Sequence, residues 1–442
     1  MQARELKRTR ELLNFIEESP TAYHAVDSIV KRLETAGYRE LRESEAWELT
    51  QGGGYYVTRN GSSVISFRIP KTQPTRFLIT ASHTDSPMFK LKSKSEAVTA
   101  NRYVRLNTEV YGGTILSTWL DRPLSLAGRV ILVQNGVFSV KTVKIDRDLL
   151  LIPSVAIHMD RTVNAGHAYN PAVDTLPLIA EVGGEAFSLK GFLAKEIGCG
   201  EEEIADMDLY VVNRMAGSVW GANEEFFSAP RIDNLMCAYG TLCGYMESEG
   251  ASDTVSVYFA ADNEETGSAT KQGAGSVFLS DVLDRVSESL GVDKRRLLAS
   301  SMMVSADNAH AKHPNHPELS DAQNAPVVNG GVVIKTNAAQ KYATDGVSAA
   351  LFAEMCKRAE VPVQYYANRS DQPGGSTLGS ISNTQVPLIT VDIGMAQLAM
   401  HSSYETAGVA DTEQLCRAAK AFYNSTLTAL SDGSYRLTCG GV

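Results

Sequence analysis

The chain has 442 residues, 43% of them hydrophobic, with 41 lysines and arginines against 51 aspartates and glutamates, a net charge of −10 at pH 7. That balance excludes nucleic acid and an anionic membrane surface as principal partners, and no stretch approaches the roughly 18 apolar residues of a membrane span. The length suits about two to three domains, the six cysteines contain no Cys-x-x-Cys pair and read as reduced thiols with Cys439 the most exposed, and the charged N-terminus has no signal-peptide core, so a cytoplasmic protein is expected.

From Ala3 to Glu18, Leu6, Leu12, Leu13 and Ile16 recur at helical intervals among charges. Ser19-Pro20 predicts a stop and a new N-cap, after which Ala22, Val26, Ile29, Val30 and Leu33 continue a second helix to Gly37. His24 lies within it, as a packed or capping residue and not a ligand. Tyr55–Thr58 and Ser63–Arg68 flank Asn60-Gly61, which supplies the positive φ of a tight hairpin turn.

Chemistry-bearing residues then recur where buried-type strands end. Arg76–Ser82 runs into His83-Thr84-Asp85, with the histidine and Asp85 on one side if the strand continues, or in a plain turn if it does not. Asp233 precedes an apolar helix from about Leu235 to Met246 and reads either as a ligand or as an N-cap. Val255–Ala261 gives way to Asp262-Asn263-Glu264-Glu265, two adjacent carboxylates beyond a strand. Met302–Ala306 ends at Asp307, while His310, His313 and His316 follow at intervals that Pro314 and Pro317 keep off a single helix face, favouring a structural loop. Val386–Ile393 leads to a loop carrying His401. Jointly, two histidines and carboxylates from five strand ends suit a pair of zinc-like ions with one aspartate shared, leaving a glutamate free to move protons.

These residues carry a resemblance. Ser82-His83-Thr84-Asp85-Ser86-Pro87, Pro230-Arg231-Ile232-Asp233-Asn234, Asn263-Glu264-Glu265, Asp307 with Ala309-His310-Ala311, and Gln397-Leu398-Ala399-Met400-His401-Ser402 resemble the aspartyl aminopeptidase family of dinuclear metalloaminopeptidases. Ser19-Pro20 with His24, Trp119-Leu120-Asp121-Arg122 and Ala156-Ile157-His158 extend the match over nearly the whole chain. Two departures are Gly374, where many relatives have cysteine, and Tyr404, where arginine is common.

The resemblance implies an α/β fold, a mixed sheet flanked by helices as in dinuclear zinc peptidases. Residues 1–92 and 224–442 would form the catalytic domain. The β-patterned segment 93–223 would be an inserted dimerisation domain. It implies two divalent ions per subunit, Zn2+ with Mn2+ or Co2+ admissible at one site. Asp233 would bridge, His83 and Asp307 would complete one site, and Glu265 and His401 the other. Glu264 would be the general base and Asp85 would orient a ligand.

His158 is implied to reach a partner subunit's active site and help hold the substrate, where the alternative is a buried strand histidine. Lys335 is implied as the pocket cation for acidic N-termini, helped by Gly375 and Ser376, where the alternative is a solvated lysine. Partners would be peptides with a free N-terminus and further copies of the chain, as dimers assembled into a tetrahedral dodecamer. The alternatives are a broad-specificity aminopeptidase, a two-metal deacylase or carboxypeptidase, and an inactive self-assembling particle.

Overall fold

A computed structural model describes residues 3–183 and 186–439. The two N-terminal helices form as Ala3–Glu18 and Ala22–Thr35. The second starts later than Ser19-Pro20 predicts, because the Ser19 carbonyl is taken by Arg231 Nε at 3.1 Å from across the fold. Thr21 holds the N-cap position instead, and its hydroxyl meets His24 Nδ1 at 2.8 Å. Burial, then Lys144 and Arg231, lowers the His24 pKa to about 4, so this histidine is a neutral packed residue.

A nine-stranded mixed sheet organises the chain, in the order Arg39–Glu40, Gly54–Arg59, Ser63–Arg68, Thr254–Ala261, Arg76–His83, Met302–Ala306, Ile389–Gly394, Val332–Lys335 and Val363–Tyr366. The expected hairpin is present, with Asn60 and Gly61 both at positive φ. The four strands from Thr254–Ala261 to Ile389–Gly394 are parallel neighbours. Parallel strands covered on both faces must be apolar on both, and Arg76–His83 and Thr254–Ala261 are buried at every position.

Alternation divides their side chains between two cores. Leu78, Tyr258, Ala260, Val304 and Val391 join the core that includes Phe15, Ile29, Met236 and Phe422. Phe77, Ile79, Val257, Phe259 and Met303 join the other, with Phe278, Leu283 and Leu378. The sheet is thus the middle layer of an α/β/α arrangement.

Six antiparallel strands make a second sheet, in the order Val137–Lys144, Leu124–Gln134, Ile204–Asn213, Met88–Thr99, Tyr103–Tyr111 and Leu178–Glu181. It has its own core around Phe89, Leu106, Trp119, Leu126, Leu193 and Val211. A third sheet of short strands, Ser218–Trp220, Phe226–Ala229, Glu405–Gly408, Ala396–Leu398 and Ala309–His310, ties together the chain just before Asp233, just after Asp307 and on either side of His401.

No helix among the described residues is long and apolar enough to cross a membrane. Cys199, Cys237, Cys243, Cys356 and Cys416 are free thiols, and the Cys439 side chain lies outside the described residues.

The helix Ile232–Glu247, whose first turn carries Asp233, packs directly on Asp411–Tyr423. Glycine allows this approach: a Cβ at Gly244 would lie 2.7 Å from Lys420 N and 2.8 Å from Cys416 O, and one at Gly240 would meet the Leu415 side chain at 2.6 Å. Gly244→Leu is expected to destabilise the protein by about 1–3 kcal/mol through overpacking, read as a lowered midpoint of thermal unfolding. An unchanged midpoint would mean that the two helices separate without cost.

Candidate metal centre

In an open α/β sheet the functional crevice lies beyond the carboxyl ends of parallel strands. Here Ala261 and His83 are register partners on adjacent strands. Asp307 follows the strand Met302–Ala306 by one residue, and Glu264 and Glu265 form a short helical turn just past Ala261. Four elements therefore deliver His83, Asp307, Glu264 with Glu265, and Asp233 to one place, and His401 enters from the loop after Ala396–Leu398 at φ 67°.

The distances form two clusters sharing one carboxylate. His83 Nε2 lies 3.4 Å from Asp307 Oδ1 and 3.7 Å from Asp233 Oδ1. His401 Nε2 lies 3.4 Å from Asp233 Oδ2 and 3.4 Å from Glu265 Oε2. Asp233 thus turns one oxygen to each histidine. Glu264 lies on the His83 side, with Oε2 3.9 Å from His83 Nε2. The groups His83–Asp233–Asp307, Asp233–Glu265–His401 and His83–Glu264–Glu265 each bring three ligand atoms within 4.8 Å of one another.

Two observations fit a cation. Asp233 Oδ1 and Glu265 Oε1 are buried with no hydrogen-bond partner among the described residues, and a buried carboxylate oxygen left so is costly. Asp233 is not the alternative N-cap either. Asp233 and Asn234 have non-helical backbone, the peptide between them is cis, and the carboxylate faces the two imidazoles.

The electrostatics agree. Burial opposes charge on His401, but Asp233 and Glu265 outweigh it and push its pKa up to about 10. His83 is likewise held well above its ordinary value, because Asp307, Asp85 and Glu264 overcome its burial. Burial, reinforced by Asp307, Asp85 and Asp233 against the opposing His83, pushes Glu264 up to about 8. A site that draws protons onto both imidazoles is one where cations bind, and bound cations would reverse these shifts.

The supporting contacts are as specific as the cluster. Asp85, 4% exposed, accepts from the amides of Glu264 at 3.2 Å and Glu265 at 3.1 Å, and its Oδ1 lies 3.3 Å from His83 Nδ1. It lies against the His83 ring and holds the turn bearing both glutamates. Glu405, which sequence reasoning missed as a site residue, is 1% exposed and accepts from Asp233 N at 2.9 Å, His401 N at 2.7 Å and Gln397 Nε2 at 3.1 Å. Burial, then Asp233, pushes its pKa up to about 8. No spacing signal could reveal it, since it acts on backbone amides brought together only by the fold.

Lys335 is not the solvated lysine of the alternative reading. It is 2% exposed, and Nζ donates to the carbonyls of Asp307 at 2.7 Å and Asn308 at 3.2 Å, with Asp307 Oδ2 at 3.5 Å. Its place is behind Asp307, where it braces the loop. Gly375 and Ser376 are exposed, and the neighbouring cleft of about 480 Å³ is lined instead by Gly374, with His310, Asn368, Arg369 and Met400. His158 is exposed in a turn, not buried in a strand. His310, His313 and His316 join none of the metal-capable groups among the described residues.

A family model described as "Aminopeptidase I zinc metalloprotease (M18)" matches residues 15–423. The chain belongs to the M18 aminopeptidase family. It is 43% identical over 431 residues to a probable M18 family aminopeptidase 2 of Clostridium acetobutylicum, covering 95% of this chain and 99% of that one. A namesake from Pseudomonas aeruginosa is 40% identical over 422 residues, with 94% and 97% covered.

Among solved structures, Ape4 in its complex with Nbr1 matches at TM-score 0.92 with 34% identity, covering 96% of this chain and 87% of that chain. The S. cerevisiae mApe1 dodecamer matches at 0.83 with 28% identity, covering 96% and 97%. The M18 chain is accordingly a hydrolase, a zinc-metalloprotease-type aminopeptidase built on a mixed α/β fold.

In this M18 chain Glu405 serves three N–H donors, and glutamine would offer only one acceptor oxygen to them. Glu405→Gln is expected to weaken zinc binding about 10- to 100-fold, measured by competition with a chromophoric chelator. Wild-type affinity would show that Asp233 and His401 hold their positions without it.

Proposed function

We propose that the chain is a dinuclear aminopeptidase that removes N-terminal residues from peptides and prefers acidic ones. The observation that carries the two-ion reading is Asp233, whose two oxygens face two different histidines, each with a further carboxylate beside it. His83, Asp233 and Asp307 would hold one ion, and Asp233, Glu265 and His401 the other, with zinc the ion that suits both sets. Such ions supply Lewis-acid polarisation and a more acidic water.

The chain's own residues do the rest. Glu264, half-buried on the His83 side, would take the proton of the attacking water and return it to the leaving amine. Asp85 keeps Glu264 aimed through its backbone amide.

The acidic preference would rest on the positive charge of Lys335, which lies beside Asp307; its donors are committed to the Asp307 and Asn308 carbonyls and leave it to act through its field alone. Association into dimers and a dodecamer is supported by the likeness to the mApe1 dodecamer. It is supported also by Val155, Ile157 and Met159, apolar residues exposed around His158. In that assembly the six-stranded sheet would pair subunits and His158 would enter the partner's site.

One kinetic series tests this reading. Zinc-loaded wild type is expected to turn over aspartyl and glutamyl substrates at least about tenfold faster than leucyl ones and to leave N-acetylated peptides intact. Glu264→Gln is expected to keep its zinc and lose at least about a hundredfold in kcat, and His158→Ala to lower kcat in an intact oligomer. Faster leucyl turnover would sink the acidic preference alone, cleavage of blocked peptides would sink the aminopeptidase reading, and an active Glu264→Gln would remove its role as base.

A further inference from the structure

A segment of the six-stranded sheet enters the metal centre. Residues 111–115 lead out of the strand Tyr103–Tyr111 and touch His401 and Glu265 on one side and the supporting Asp85 on the other. On one side His401 Nδ1 meets the Gly113 carbonyl at 3.0 Å, and Ile115 N donates to the His401 carbonyl at 2.9 Å. Between them Gly112, at φ 72°, leaves no room for a side chain: a Cβ would lie 3.0 Å from Glu265 Cβ. On the other side Tyr111 places its hydroxyl 2.7 Å from Asp85 Oδ2.

The direction of that bond follows from its neighbours. Asn263 Oδ1 accepts from Thr270 Oγ1 and Gln272 Nε2, each at 2.8 Å, so its amide nitrogen faces Tyr111 Oη at 2.8 Å. The amide donates to the phenol oxygen, and the single phenol proton is left for Asp85. The Asp85 carboxylate then has three donors, Tyr111 and the amides of Glu264 and Glu265, while His83 Nδ1 meets the Asp85 backbone carbonyl at 3.1 Å with the carboxylate 3.3 Å away. Tyr111 makes the shortest of these contacts and is the one that comes from another sheet.

We propose that Tyr111 is a positioning residue of the metal centre: by donating to Asp85 it locks one carboxylate against His83 and against the turn that carries Glu264 and Glu265. A strand of the six-stranded sheet thereby sets the aim of one imidazole and both glutamates, and a displacement of that sheet is transmitted to the centre. Without the phenol proton, the Asp85 carboxylate is free to rotate, and its two remaining donors and the neighbouring His83 ring lose their common reference. The inference rests on the metallopeptidase reading above.

Tyr111→Phe keeps the ring packed edge-on against Tyr210, at 5.7 Å between centroids, and removes the hydroxyl that donates to Asp85 and accepts from Asn263. Its zinc affinity, titrated against a chromophoric chelator, is expected to fall about tenfold or more. With zinc saturating, kcat is expected to fall by a similar factor while KM stays at the wild-type value. Tyr210→Phe is the control: it removes a hydroxyl from the same sheet and is expected to leave both readouts unchanged.

Wild-type affinity in Tyr111→Phe, or equal losses in the two variants, would overturn the proposal. A wild type that binds zinc but cleaves no peptide would sink the proposed function, and the chelator titration would still decide the role of Tyr111.

Discussion

The structure depends on one constraint, the burial of several carboxylates at the tips of parallel strands with too few protein cations to balance them. Asp233, Asp307 and Glu265 converge on two imidazoles, and Glu264 and Asp85 stand beside them. Among the described residues Lys335 is the lysine that touches this cluster, at Asp307. Such a gathering is unfavourable unless positive charge is supplied, and the two imidazoles are drawn toward protonation for that reason. Divalent cations satisfy the same demand more fully and convert an electrostatic liability into an affinity.

The rest of the fold holds the carboxylates in place against their repulsion. Four parallel strands buried on both faces fix where the tips lie. The third sheet closes the loops around Asp233, Asp307 and His401, and Glu405 links two of them through backbone amides. Glycines at positions 240 and 244 let the helix that follows Asp233 sit directly against Asp411–Tyr423. Asp85 and Lys335 brace the other ligands from behind, so each metal-facing group has a partner that restricts its direction.

Much of this was legible in the sequence, for a physical reason. Strands buried on both faces are continuous apolar runs, so a charged residue where such a run stops is conspicuous, and His83, Glu264, Glu265 and Asp307 were found that way. Asp233 was ambiguous between ligand and cap because both roles place an aspartate at a helix start, and only the direction of its carboxylate separates them. The start of the second helix was misplaced because Arg231, over 200 residues away in sequence, takes the Ser19 carbonyl. The solvated reading of Lys335 fails for the complementary reason. A lysine ending a strand is ordinarily solvated, and its burial behind Asp307 is a tertiary fact. Glu405, Tyr111 and Gly113 act through backbone groups or another side chain's far edge, which no one-dimensional pattern records.

The central claim is that Asp233 is shared by two ions while Glu264 binds neither. Anomalous scattering from crystals of the zinc-loaded protein, collected on both sides of the zinc edge, tests it most directly. The account predicts two peaks flanking the Asp233 carboxylate, one against His83 and Asp307 and one against Glu265 and His401, with Glu264 outside coordination distance of both. A single peak, or Glu264 coordinating with Glu265 turned away, would contradict it.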